Sequence, residues 1–371
     1  MNTNPRYERL KPLMAEAGLD VTVVLSPENT LYFTGAYILT QTNVRDRLAL
    51  AVFPVDKDPV MIGCKVESET IDLETWIEDR RYYVEFLQSP IKMLADALIE
   101  KGYENSTIGI EMDYLAANFY KELIETMPRA TFVPCTRLFE KVRMIKEPGE
   151  IEIMAKYANV TRQCLEEAIR QTHPGDTEKM IATRIRVQLM EHGATGMFLV
   201  TGAGTESTKL HKEPDDTLLE SGDVLRIDFG GVFEGQYKTD FCRMMMVGEE
   251  NPYYIEKYNQ FCDCYKRTID MIKPGVMASE IFFACKKMHE EYGLQFFPTH
   301  VGHSLGITYH EFPMLSPKED FALQENMVFN VEPLCVVDNR LFHVEDLVQV
   351  TKDGHKVLSD PDFNPRLLRI V

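Results

Sequence analysis

The sequence predicts an α/β (α+β) chain in two parts: an N-terminal α/β domain over residues 1–140 and a C-terminal domain over residues 141–371 built of two similar halves. Three observations predict it. Short apolar runs alternate with helical stretches through the first third, the pattern of a sheet layered with helices. A helix led by Pro148 follows, with acids in its first turn, where they favour the helix dipole. From there the order helix, helix, acid-bearing hairpin occurs twice, which implies a pseudo-twofold repeat.

Composition narrows the class. The chain has 371 residues, of which 44% are hydrophobic and 26% charged, as in a globular protein with a sizeable core. It has no apolar run long enough to span a membrane, and residues 1–6 lack a signal-peptide pattern. Eight cysteines are scattered without a CxxC, and Cys262-Asp-Cys264 is too little for a zinc knuckle. They read as reduced thiols, so the expected location is cytoplasmic. A net charge of −18 argues against nucleic-acid and anionic-membrane partners.

Taken in order, residues 4–20 carry a helical pattern through Leu10, Leu13 and Ala17 that is expected to bend or restart at Pro12. Residues 21–25 read as a buried strand stopped by Ser26-Pro27. Further strands follow at 48–53 and 60–62. A helix near 89–102, a strand at 107–112, a helix near 114–126 and a strand at 131–134 complete a mixed sheet with helices on both faces. No phosphate-cradling glycine loop follows any strand, so this third reads as a domain without its own chemistry. The boundary falls near 136–147. Beyond it Ile151, Met154, Ala158, Leu165 and Ile169 recur at helical spacing. His173-Pro-Gly-Asp ends that helix, and Thr177 opens a second that runs to about residue 192. Residues 194–223 read as loop-rich and hold His211. A hairpin over 223–247 turns at Glu234-Gly235. Helices near 251–271 and 278–291 lead to a second hairpin over 325–350, which turns at Asp338-Asn339, residues that tolerate φ > 0.

The acids in these hairpins carry the chemistry. Glu332 and Glu345 are equidistant from the second turn, so in an unbulged hairpin they face each other with Cβ atoms roughly 5 Å apart. Such opposed like charges cost stability. On this stretch alone a bound cation and a solvent-washed acidic face are both open. Asp228 and Asp240 repeat the arrangement about residue 234 if one extra residue is absorbed near the turn. Four paired acids at two related positions favour metal. Between the hairpins His300, His303 and His310 place three of the nine histidines within eleven residues, beside glycines that let backbone approach a site. Four carboxylates and an imidazole make a hard, oxygen-rich set suited to Mn, Fe(II) or Co more than to a structural zinc. Such a set can hold two ions about 3.5–4 Å apart with an activated water between them. Neutral histidines nearby can donate to an oxyanion or pass a proton to a leaving amine.

At these residues the C-terminal domain resembles the pita-bread metallohydrolases. Residues 143–151, Arg-Met-Ile-Lys…Glu-Ile, and 26–35, Ser-Pro-Glu-Asn-Thr-Leu-Tyr-Phe-Thr-Gly, are similar to the aminopeptidase P, prolidase and creatinase branch with its creatinase-like N-terminal domain. The resemblance implies that Asp228 chelates one metal ion, that Asp240 and Glu345 bridge two, and that His303 and Glu332 complete the second. It further implies that His211 and His310 act in the substrate site. The expected function is that of a metal-dependent hydrolase, most simply an Xaa-Pro aminopeptidase or dipeptidase-like metallopeptidase cleaving the amide bond of a small peptide. Two divalent ions would activate the attacking water, manganese first, with cobalt, iron or zinc as alternatives. By resemblance the chain is also expected to be a homodimer. Several residues depart from the family pattern: Cys242 for a threonine, His343 for an arginine, Leu334 for a glycine, Ser304 in Gly-His-Ser, one extra residue in the first hairpin, and no arginine between His310 and Glu332. These departures keep a small-molecule C–N hydrolase or lyase acting on a small amide as the alternative. Creatinase itself and a metal-free binding module are disfavoured, since none of the implied ligands is eroded.

Overall fold

The computed structural model describes residues 4–44 and 46–371; residues 1–3 of the N-terminal stretch considered above lie outside the described residues. The chain divides into two compact units, the first ending at Arg143 and the second running Met144–Val371.

The first unit is a six-stranded sheet in the order β4-β3-β2-β1-β5-β6. Its strands are β1 (Val21–Val24), β2 (Leu50–Pro54), β3 (Val60–Cys64), β4 (Asp79–Tyr83), β5 (Thr107–Ile110) and β6 (Thr131–Pro134), and its helices are α1 (Pro5–Glu16), α2 (Pro27–Thr34), α3 (Leu39–Asn43), α4 (Ser68–Glu74), α5 (Pro90–Glu100), α6 (Ala117–Thr126) and α7 (Thr136–Arg143). β1–β2 and β2–β3 are antiparallel and the other pairs parallel, so the sheet is mixed. Side chains alternate between faces along each strand. Val21, Val23, Leu50, Val52, Val60 and Ile62 share a core with Ile91 and Leu94 of α5 and Leu123 of α6. On the opposite face Phe53 meets Tyr7 of α1 and Phe33 of α2, and Phe33 meets Phe139 of α7. Helices therefore cover both faces.

Two expectations for this unit are corrected. α1 runs through Pro12 without a break, burying Tyr7, Leu10 and Met14. The carbonyl that Pro12 leaves without an N–H belongs to Glu8, and both residues lie on the exposed side of the helix, where the lost bond costs least. Ser26-Pro27 starts α2 as well as ending β1, because Ser26 Oγ accepts from Asn29 N at 3.3 Å. The Asp-Arg-Arg-Tyr-Tyr strand β4 is absent from the sequence reading because this edge strand is charged and mostly half-exposed, which removes the apolar alternation.

The second unit opens with α8 (Pro148–Arg170) and α9 (Glu178–Glu191), then β7 (Gly196–Ala203), β8 (Val224–Val232) and β9 (Phe241–Val247). Its second half has α10 (Pro252–Asp270), α11 (Ala278–Glu291), β10 (Gln295–Phe296), β11 (Gly302–Ser304), β12 (Glu311–Met314), β13 (Val328–Val331), β14 (Leu334–Val337), β15 (Arg340–His343), β16 (Asp346–Val350), β17 (His355–Val357) and β18 (Leu368–Ile370). The two halves share equivalent backbone hydrogen bonds. Gly175 N donates to Leu219 O and Gly275 N to Leu323 O; Val247 N donates to Asp223 O and Val350 N to Met327 O. A four-stranded sheet β18-β9-β8-β7 carries the first hairpin, and the second is shared between a five-stranded sheet β12-β11-β13-β16-β17 and a three-stranded sheet β10-β14-β15. One stretch read as loop is not: β7 pairs along its whole length with β8. Gly193, Gly196, Gly202 and Gly204 punctuate it and hide the strand pattern.

Candidate metal centre

The second hairpin is built as its turn residues dictate. Asp338 and Asn339 have φ of 45° and 55°, and Val337 pairs with Arg340 across them. The same register resumes beyond a gap, where Val331 pairs with Asp346. Glu332 and Glu345 fall opposite each other inside that gap, where the hairpin passes from one sheet to another and Pro333 has no N–H to offer a ladder. Glu345 N instead donates to Cys242 O at 3.1 Å, joining the two hairpins. Arg243 braces the junction. Its Nη1 donates to the carbonyls of Cys242 and Glu345 at 3.0 and 2.7 Å, and its Nη2 to both Asp346 carboxylate oxygens. Tyr265 and Ser359 hydroxyls hold Asp346 in turn.

The first hairpin differs from expectation in register. Asp228 pairs with Cys242, so Asp240 lies diagonal to Asp228, on the same face but two residues along. The loop centres on Gly235 rather than residue 234: Gly235 and Gln236 both have positive φ, and Phe233 N donates to Tyr237 O at 2.8 Å. Gly230 makes the close crossing possible, since a Cβ there would sit 1.7 Å from Thr239 O.

His303, on β11 between β12 and β13, is buried behind the acids. Its Nδ1 lies 3.0 Å from Ser304 O and donates its proton there, which turns Nε2 toward the carboxylates. Nε2 is 3.5 Å from Glu332 Oε1 and 3.7 Å from Asp240 Oδ2. The His310 ring stacks on His303 with centroids 3.8 Å apart. His300 Nε2 approaches Glu332 Oε1 at 2.9 Å. His211 lines the same cavity from a loop fastened on both sides. Arg226 Nη2 donates to Leu210 O at 2.7 Å, Thr201 N donates to Lys212 O, and Lys212 pairs with buried Glu178.

The cavity holds about 480 Å³ and is walled on its apolar side by Phe198, Leu210, Phe297, Pro298 and Leu334. The acids at its floor are strained electrostatically. Burial, then the Glu345 charge, pushes the Asp228 carboxyl up to about 8, and the same causes raise Asp240. Burial alone would raise Glu332 too, but His303, His300 and His343 hold it well below the usual carboxylate range. Crowding by protein, then His303, lowers His310 to about 4, so its imidazole is neutral at neutral pH. Asp228 Oδ1, Asp240 Oδ1, Glu345 Oε2 and His303 Nε2 are buried without a hydrogen-bond partner. Native proteins rarely leave so many buried polar atoms unpaired. Convergent carboxylate oxygens and one imidazole lone pair are the donors a hard divalent cation takes, so the residues fit such an ion.

All seven residues singled out from the sequence thus belong to one region: Asp228, Asp240, Glu332, Glu345, His211 and His310 line the cavity, with His303 directly behind. Among the described residues, Asp228, Glu345 and His343 form a donor trio with ligand atoms within 4.8 Å of one another. In the sequence His343 stands out only as a departure from the family pattern. Its place two residues before Glu345 is the signal that could have found it, since alternate strand residues share a face. Phe198 escaped notice because its strand was read as loop.

Known proteins share the sequence pattern and the fold. Residues 152–352 match the family model described as metallopeptidase family M24, and residues 6–145 match the creatinase/prolidase N-terminal domain. The chain is 26% identical over 358 residues to a putative dipeptidase of Bacillus subtilis, covering 95% of this chain and 97% of that one. It is 25% identical over 364 residues to the Xaa-Pro dipeptidase of Pyrococcus furiosus, with the same coverage. Among solved structures, the prolidase from Pyrococcus furiosus has a TM-score of 0.82 at 25% identity, covering 94% of this chain and 99% of that one. The dipeptidase PepE from Mycobacterium ulcerans shares the fold, with a TM-score of 0.88 at 22% identity, covering 98% and 97%.

Proposed function

Because the chain belongs to metallopeptidase family M24, we propose that it is an Xaa-Pro peptidase whose ions are held by Asp228, Asp240, His303, Glu332 and Glu345. The observation that carries the reading is the set of buried, unpartnered oxygen and nitrogen donors gathered at the floor of an apolar-walled cavity. Two divalent ions, when bound, would supply Lewis acidity and a water acidic enough to attack a carbonyl near neutral pH. The chain's own residues do the rest. Phe198, Leu210, Phe297 and Leu334 offer apolar walls against which a proline ring packs and which exclude water from the scissile amide. His310, neutral and stacked on His303, donates an N–H to the developing oxyanion, and His211, on its fastened loop, passes a proton to the leaving amine. Arg243 keeps the Glu345 segment in register with the first hairpin.

Among the described residues the cavity lining carries no lysine or arginine, so a substrate's C-terminal carboxylate finds no ammonium or guanidinium clamp there. Xaa-Pro amides and longer Xaa-Pro peptides are therefore expected to turn over at least as well as free Xaa-Pro dipeptides. Manganese is the first ion to try. The eight unpaired, buried cysteines favour a reducing, cytoplasmic setting, and a homodimer is part of the reading. The test is a peptide panel assayed on chelator-stripped protein reloaded with manganese or cobalt. Ion-dependent release of the residue before proline supports the assignment. Hydrolysis of small amides alone, or of no peptide with either ion, removes it.

A further inference from the structure

The centre has one imidazole more than its five expected donors, and it sits beside Asp228 and Glu345. We propose that His343 is a sixth metal donor, adding a nitrogen to the ion held by Asp228 and Glu345 and shifting that position from manganese toward cobalt or zinc. The inference rests on the metal centre proposed above.

Its geometry is that of a ligand. A donor atom of His343 and carboxylate oxygens of Asp228 and Glu345 lie within 4.8 Å of one another. Its Nε2 is 3.0 Å from Glu345 Oε1 and 3.5 Å from Glu332 Oε2, yet neither contact is aligned as a hydrogen bond. Both ring nitrogens are buried without a hydrogen-bond partner. An imidazole so placed has lost its water and gained carboxylate contacts that are not aligned as hydrogen bonds, a costly arrangement that a shared cation relieves. The backbone around it is fixed. His343 pairs with Leu334 at the end of the β14–β15 ladder, and Cys242 Sγ, on the residue opposite Asp228, lies 3.5 Å from His343 O.

An arginine here, as in the resembling family, could not do this, since guanidinium has no lone pair and stays charged. His343 gives the Asp228 side what His303 gives the Glu332 side, one nitrogen each. Imidazole strengthens binding of later first-row ions more than of manganese.

The test uses the full chain loaded with Co(II). Paramagnetically shifted, solvent-exchangeable imidazole N–H resonances count the ligated histidines, while elemental analysis counts ions. Wild type should bind two ions and show resonances from two histidines. His343→Ala should keep two ions and lose one resonance, with the Co(II) dissociation constant of one position raised by about 10–100-fold or more and that for Mn(II) by less than about threefold. His343→Gln serves if the alanine variant misfolds. Two bound ions with one ligated histidine in wild type overturns the sixth donor and leaves the peptidase centre standing. Wild type that binds no ion overturns both.

Discussion

At the residue scale, function rests on how little each side chain has to pair with inside the protein. His310 illustrates it. Its low pKa of about 4 keeps a neutral ring stacked on His303, free to donate. His310→Ala should therefore lower kcat by about 10²–10³-fold, the usual loss of an oxyanion donor, while elemental analysis still finds two ions per chain. Loss of an ion would instead assign the stacked ring to holding His303. Which acids converge was readable from hairpin symmetry. The contacts of His343 were not, because a linear sequence does not say whether an imidazole beside carboxylates will be aligned for a hydrogen bond.

At the element scale, the second hairpin delivers two acids to one place, and its turn sets their register. Asn339 is exposed with φ of 55°, where a β-branched residue is strained. Asn339→Val is expected to cost about 1–2 kcal/mol in urea unfolding and to weaken metal binding, while Asn339→Gly leaves both nearly unchanged. Equal stability of the two variants would mean that the Glu332–Glu345 alignment is held by the Arg243–Asp346 brace alone. The first hairpin shows where reading by symmetry fails. Counting outward from a presumed turn placed Asp228 opposite Asp240, but the loop closes around Gly235 and sets Cys242 there instead. Alternation still kept both acids on one face, because a shift of two residues preserves the face that a shift of one would reverse.

At the scale of the whole molecule, the acids of the second unit store repulsion that a cation relieves. Metal bound at a hundred times its dissociation constant adds about 2.7 kcal/mol to stability. For a unit of this size that is a rise of roughly 5–10 °C in Tm. Calorimetry of the chelator-stripped chain should show this gain on adding manganese or cobalt, and Glu345→Gln should abolish it. An unchanged Tm in the wild type would count against ions held between the two hairpins.

The sequence by itself determined the alternation of strands and helices, the twofold repeat of helix, helix and hairpin, and the identity of the acids and histidines that converge. Each of these is a local pattern: apolar period, turn chemistry or spacing about a turn, and local patterns survive in one dimension. Tertiary structure alone decided the Asp228–Cys242 register, the strand at Gly196–Ala203, the Arg243–Asp346 brace and the position of His343. Those depend on which backbone closes against which, and on which polar atoms are left unpaired once the two halves of the second unit pack together.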